Sequence, residues 1–252
     1  MQFVKMQGLG NDFVVVARSV HVTADLVRRL CDRRFGVGAD GLLQVGVDAA
    51  GLVTMGYWNA DGSDAEMCGN GLRCVARHAV DAGLVDATEF EVVTPVGPRR
   101  VALGDDKVTV DLGPVEVGDE VTIGGRAYTM ASVGNPHLVA IGADPDHVDV
   151  VGIGESIQRH PRFPYGTNVE FVEVVAPDRL AVRVWERGVG ETLACGSGMV
   201  AAAAVAHRAG AGATVEVEVP GGVASVRIEE SASWLTGPAE TVFEGRWFSG
   251  SF

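Results

Sequence analysis

The chain has 252 residues, four of them cysteine, with 47% hydrophobic residues and a formal net charge of −13. That length supports one large domain or two smaller ones with buried cores. Negative charge spread along the whole chain excludes nucleic acid and anionic membrane as natural partners, and no apolar run reaches the roughly 18 residues that a membrane span needs.

In chain order, Met1-Gln2-Phe3-Val4-Lys5 runs straight into strand-like sequence without a secretory leader pattern, which together with the few cysteines predicts reduced thiols in the cytoplasm. Residues 13–17 read as a buried strand. Thr23 caps an amphipathic helix over 24–30, with Cys31 as a core residue. Residues 52–58 alternate as a strand; Gly69-Asn70-Gly71 then turns into a helix over 72–82 whose Cys74 faces inward, and 90–93 is a strand. The Gly, Pro and acidic stretch 113–119 marks a boundary, giving an N-terminal repeat domain 1–115 and a C-terminal one 116–240. The second half runs through strands at 138–141 and 180–185 into Gly196-Ser197-Gly198 and a helix over 199–209, so rich in Ala and Val that it should be buried all round, and then a strand at 215–219.

The two halves match. Met67-Cys68-Gly69-Asn70-Gly71 returns as Ala194-Cys195-Gly196-Ser197-Gly198, Gly10-Asn11-Asp12 as Gly134-Asn135-Pro136, Arg34 to Asp40 as Arg162 to Asn168, and Trp58-Asn59 as Trp185-Glu186. The order is preserved and the offset stays near half the chain, the mark of a duplicated unit. Many short strands around one apolar helix, twice, predict an α/β (α+β) fold of two pseudo-symmetric domains, each a mostly antiparallel sheet wrapped around a central helix, with the active site in a shared cleft.

A cysteine at a helix N-terminus meets unsatisfied N–H groups and the positive end of the dipole, which favours the thiolate. The neighbouring glycines admit a substrate, and such a helix end binds a carboxylate. Cys68 and Cys195 are therefore read as a paired acid and base. The plainer reading makes each cysteine a compact hydrophobe in a small-residue turn; retention of Cys-Gly-x-Gly in both copies weighs against it. Cys68 and Cys74 form a C-x5-C pair with no other ligand pair at metal spacing, so no metal is assigned. A Cys68–Cys195 redox disulfide stays open, unsupported by a C-x-x-C motif. Asn11, Asn59, Asn70, Asn135 and Asn168 offer both donors and acceptors to a zwitterion. His137 and Glu186 are titratable groups that can tune a thiol, and Arg187 is a candidate carboxylate clamp.

Lys5-Met6-Gln7-Gly8-Leu9-Gly10-Asn11-Asp12-Phe13, the run Asn59 to Cys74, Gly134-Asn135-Pro136-His137 and the run Glu186 to Gly198 together resemble the diaminopimelate epimerases over essentially the whole chain. Proline racemases are similar in having one thiol per half, and the phenazine-biosynthesis-like isomerases in the duplicated layout, but neither carries the Asn-Ala-Asp-Gly-Ser run before the first cysteine. The resemblance implies a homodimer and a C-terminal tail, about 241–252, that completes the first domain. It also implies an isomerase of lysine and peptidoglycan precursor synthesis that needs no cofactor and interconverts LL- and meso-diaminopimelate. In it Cys68 and Cys195 are the acid/base thiols and His137 and Glu186 modulate them. Asn11, Asn59, Asn135, Asn168, Glu186 and Arg187 hold the substrate, with Gly69-Asn70 and Gly196-Ser197 on its α-carboxylate. Gln7 stands where many members have His, and Gly41 where some have a substrate-contacting glutamine. A proline-type racemase and a thiol redox or binding module are the rival readings.

Overall fold

The computed structural model describes residues 1–65 and 67–248. Glu66, in the first cysteine motif, and residues 249–252 of the expected tail lie outside the described residues. The elements in chain order are β1 Gln2–Gly8, β2 Asn11–Ala17, α1 Ala24–Cys31, β3 Gly41–Val47, β4 Val53–Asn59, α2 Gly69–Asp81, β5 Glu89–Thr94, β6 Gly97–Leu103 and β7 Lys107–Asp111. They continue with β8 Glu116–Ile123, β9 Arg126–Ser132, β10 Pro136–Ile141, α3 Val150–Gln158, β11 Asn168–Ala176, β12 Arg179–Glu186, β13 Gly190–Thr192, α4 Gly196–Arg208, β14 Thr214–Val219, β15 Gly222–Ile228, β16 Ser233–Pro238 and β17 Glu240–Arg246. Two compact units result: Met1–Val110 joined by the segment that starts at Gly237, and Asp111–Thr236.

In the first unit β17 pairs antiparallel with β1 and β1 with β2. The ladder then alternates: β2–β3 parallel, β3–β4 antiparallel, β4–β5 parallel, β5–β6 and β6–β7 antiparallel. Helix α2 packs against β1, β2, β3, β4 and β6, so the sheet wraps it. The second unit repeats the pattern: β8–β9 and β9–β10 antiparallel, β10–β11 parallel, β11–β12 antiparallel, β12–β14 parallel, β14–β15 and β15–β16 antiparallel. Helix α4 packs against β8, β9, β10, β11, β12, β14 and β15 and is buried along almost its entire length, as its Ala and Val content requires. The expected sheet-around-a-helix architecture is thus present in each unit.

Three local expectations need correcting. Both glycine-rich segments were expected to be turns ahead of the helices, yet α2 begins at Gly69 and α4 at Gly196. The first-turn N–H groups of a helix have no intrahelical partner in any case, so glycine costs little there. The cysteines therefore occupy the N-cap positions themselves, both extended, Cys68 at φ −143 and Cys195 at φ −117. Third, the sequence match sets Asn168 against Asp40, but the parallel ladders set Asn168 beside His137 and Gly41 beside Phe13, the counterpart of His137. One residue of register inverts the face a side chain points to, and the corrected register makes Leu43 the counterpart of Glu170. Contacts agree: a Cβ on Gly71 would meet Leu43 Cδ2 at 3.2 Å, and one on the matching Gly198 would meet Glu170 Oε1 at 2.8 Å. No helix among the described residues is long and apolar enough to cross a membrane.

Candidate active site

At the start of α2, Gly71 N–H donates to Cys68 Sγ at 3.4 Å, and Cys68 Sγ donates to Asn11 Oδ1 at 3.5 Å. Asn11 Oδ1 also accepts from Asn70 Nδ2 at 3.3 Å, and Asn11 Nδ2 donates to Asp40 Oδ2 at 2.8 Å. The thiol thus has a partner in either state, an amide N–H for the thiolate and a carbonyl for the thiol. Asn11 is held from behind by a charge cluster in which Arg33 bridges Asp12 and Asp40, and Lys5 pairs with Asp12. Burial pushes the Asp12 carboxyl up, but hydrogen bonds and charge from Arg33 and Lys5 more than reverse it, to about 2. Asn59, exposed at the end of β4, donates to Ser63 Oγ at 3.0 Å. The sequence reading missed Arg73, which is completely buried. Its Nη2 donates to Asn70 Oδ1 at 2.9 Å and its Nε to the Pro238 carbonyl at 3.1 Å.

At the start of α4, Cys195 is buried, with Sγ 3.6 Å from Ser197 Oγ. Asn135 Nδ2 donates to the same Ser197 Oγ at 3.3 Å. His137, buried on β10, places Nε2 2.9 Å from Asn135 Oδ1 and Nδ1 2.7 Å from Glu170 Oε1. Both ring nitrogens of His137 thus face an oxygen, the Asn135 amide on one side and the Glu170 carboxyl on the other. Glu170 is another residue missed from sequence; burial raises its carboxyl, opposed by His137, and its Oε2 has no hydrogen-bond partner. Glu186, half-buried at the end of β12, accepts from Thr192 Oγ1 at 2.5 Å, and burial raises its carboxyl too. The Asn168 side chain is spent on the backbone: Nδ2 donates to the Pro136 carbonyl at 2.9 Å and Oδ1 accepts from Arg187 N–H at 2.9 Å. The Arg187 side chain is exposed.

The expectation that the helix end lowers both thiols fails at Cys195. Burial raises its pKa well above the usual thiol range, and the carboxyls of Glu186 and Glu170 raise it further. Desolvation and two acidic neighbours outweigh the dipole there. Cys31 and Cys74 are the core thiols expected, pushed by burial up to about 11 and about 12. None of the four cysteines is in a disulfide, and among the described residues no group of three or more His, Cys, Asp or Glu is placed to hold a metal.

A sequence model of the diaminopimelate epimerases matches residues 3–118 and 129–242. The chain belongs to the diaminopimelate epimerase family. The diaminopimelate epimerase of Desulforudis audaxviator is 45% identical over 98% of this chain and 99% of that protein. That of Alkalilimnicola ehrlichii is 42% identical over 97% and 98%. Among solved structures, a probable proline racemase from Agrobacterium radiobacter aligns over 99% of this chain and 93% of its own, with a TM-score of 0.74 and 15% identity. A PhzF-family protein from Enterococcus faecalis aligns over 98% of both chains at 0.73 and 12%. Both show a shared fold. Gly41, the departure from some diaminopimelate epimerases, has a packing reason: a Cβ there would lie 2.7 Å from the Trp58 carbonyl oxygen and 2.8 Å from Tyr57 Cε2.

Proposed function

We propose that the protein is a diaminopimelate epimerase that moves the α-proton of LL- and meso-diaminopimelate with two thiols and no cofactor. The observation that carries this reading is a cysteine at the N-cap of each central helix, in a chain of this family. One cysteine, as thiolate, takes the α-proton and becomes a thiol. The electron pair left on carbon delocalises into the α-carboxylate, and the other thiol returns a proton to the opposite face. The reaction asks for Cys68 and Cys195 on opposite sides of one α-carbon. The first-turn N–H groups at Gly69-Asn70 and Gly196-Ser197 suit the carboxylate, whose charge grows in the transition state. His137 and Glu186 set the protonation of this machinery. Asn11, Asn59, Asn135, Asn168 and Arg187 are assigned to the two amino-acid ends of the substrate, Asn168 acting largely by fixing the Arg187 backbone.

A cytoplasmic homodimer completes the reading. The four cysteines outside any disulfide support the compartment, and the partly exposed Val242 and Phe243 on β17 offer apolar surface for a second copy. Sedimentation that finds only monomer at assay concentrations removes the dimer. The activity is tested by giving the purified chain LL-diaminopimelate and L-proline in chelator, without pyridoxal phosphate. Epimerisation of the first alone is expected. Turnover of proline, or activity only with an added cofactor, contradicts it.

A further inference from the structure

Resting on the two-thiol reading, we propose that Arg73 is a positioning residue: its buried guanidinium is the counter-charge of the Cys68 thiolate and, through Asn70 and Asn11, holds that sulfur's partners in place. Arg73 is among the largest fully buried side chains of the described residues. Its two bonded nitrogens meet only neutral oxygens, and Nη1 meets none. No carboxylate among the described residues pairs with it; the ionisable groups that act on its charge are the thiols of Cys74 and Cys68. A guanidinium stays protonated even when buried, and a buried cation without a counter-ion costs several kcal/mol. Cys74, at about 12, remains a thiol at neutral pH, which leaves Cys68 as the group among the described residues able to answer that charge.

The surroundings are shaped for this guanidinium. A Cβ on Gly8 would lie 3.1 Å from Nη2, and one on Gly237 would lie 3.3 Å from Nε and Cζ. The titratable groups on the strands packed against α2 are not among those that act on the Arg73 charge. β3 has no titratable side chain, Lys5 of β1 and Asp12 of β2 pair with each other, and β4 and β6 contribute Tyr57 and Arg99 with Arg100. Helix α4 carries Val200 at the position matching Arg73, so the cation belongs to one half of the duplication alone.

A purely architectural brace between α2 and Pro238 would use the same hydrogen bonds without touching the thiol's ionisation. The test is therefore the pH dependence of Cys68 alkylation by iodoacetamide, followed peptide by peptide with Cys195 as the internal control, in wild type, R73K and R73M. We expect the Cys68 midpoint in R73M to rise by about one pH unit or more, with about tenfold slower labelling at neutral pH. R73K should stay near wild type, and kcat should fall in R73M with little change in KM. A folded R73M with the wild-type profile, or an R73K displaced as far as R73M, overturns the proposal. Should R73M not fold, the wild-type profile decides, since a Cys68 midpoint at or above about 8.5, that of a free cysteine, also overturns it. Alkylation needs no substrate, so a chain that shows the shift but ignores diaminopimelate refutes the proposed function and leaves this inference standing.

Discussion

At the N-terminus of α2, Cys68 is partly exposed, touches Asn11 and a helix N–H, and lies in the field of a buried arginine. At the N-terminus of α4, Cys195 is buried, touches Ser197, and lies in the field of Glu170 and Glu186. The two helices begin with the same Cys-Gly-x-Gly pattern and the ladders around them are alike, yet one end has a buried guanidinium behind it and the other two carboxyls with a histidine. Where one half has Arg73, the other has Val200; where one has Glu170 and His137, the other has Leu43 and Phe13. The backbone repeat supplies two equivalent helix ends, and a few core substitutions make one end hospitable to a thiolate and the other to a thiol. A two-base reaction needs one of each at the moment substrate binds.

The largest expected effect comes from deleting either thiol. C68A and C195A should each lose about 10²- to 10⁴-fold or more in kcat/KM, the span general acid/base groups contribute, and near-wild-type turnover in either removes the pairing. Next, E170L, which copies the Leu43 of the other half, should lower kcat about tenfold or more while E170Q, which still bonds His137, loses less. Equal rates in E170L and wild type would show that the carboxyl is a bystander. Third, G198A should destabilise the protein by about 1–3 kcal/mol in a urea titration because its Cβ meets the locked Glu170 carboxyl. G71A, facing the adaptable Leu43, should cost less; the reverse order breaks the Leu43–Glu170 equivalence.

The last effect is electrostatic and confined to the first unit. The Asp12 carboxyl is depressed from 3.8 to about 2, so its ionised form stabilises the fold. That contribution is complete above about pH 4 and is lost as pH falls through about 2, where the folded state takes up the proton that the unfolded state already holds. D12N should therefore be less stable than wild type by about 2 kcal/mol at neutral pH, with the gap closing in acid. A gap independent of pH would assign the loss to packing instead.

Much of this was legible in the sequence because it is local or repeated. Thr23 caps α1, accepting from Leu26 N–H as its side chain predicts. The Ala and Val run announced that α4 would be buried, and the doubled cysteine motif announced the two helix ends. Glu170 and Arg73 were not singled out, since each sits in an ordinary local pattern. Glu170 stands in the apolar run Val169-Glu170-Phe171 and Arg73 within Leu72-Arg73-Cys74, and only the fold shows that both are buried and what they touch. A charge inside a run that must be buried was the available signal. The register of β3 against β11 was also beyond the sequence match, because hydrogen bonding, not residue identity, fixes which residues lie side by side.

Solvent deuterium at the α-carbon tests the two-thiol account most directly. Starting from LL-diaminopimelate in deuterium oxide and sampling early in the reaction, the account predicts deuterium in the newly formed meso product and almost none in the remaining LL substrate, because one thiol removes the proton and the other delivers a solvent-derived one. The same asymmetry should hold from the meso side. Deuterium appearing equally in substrate and product from the start would mean a single base working both faces, and would contradict the assignment of Cys68 and Cys195 to opposite faces.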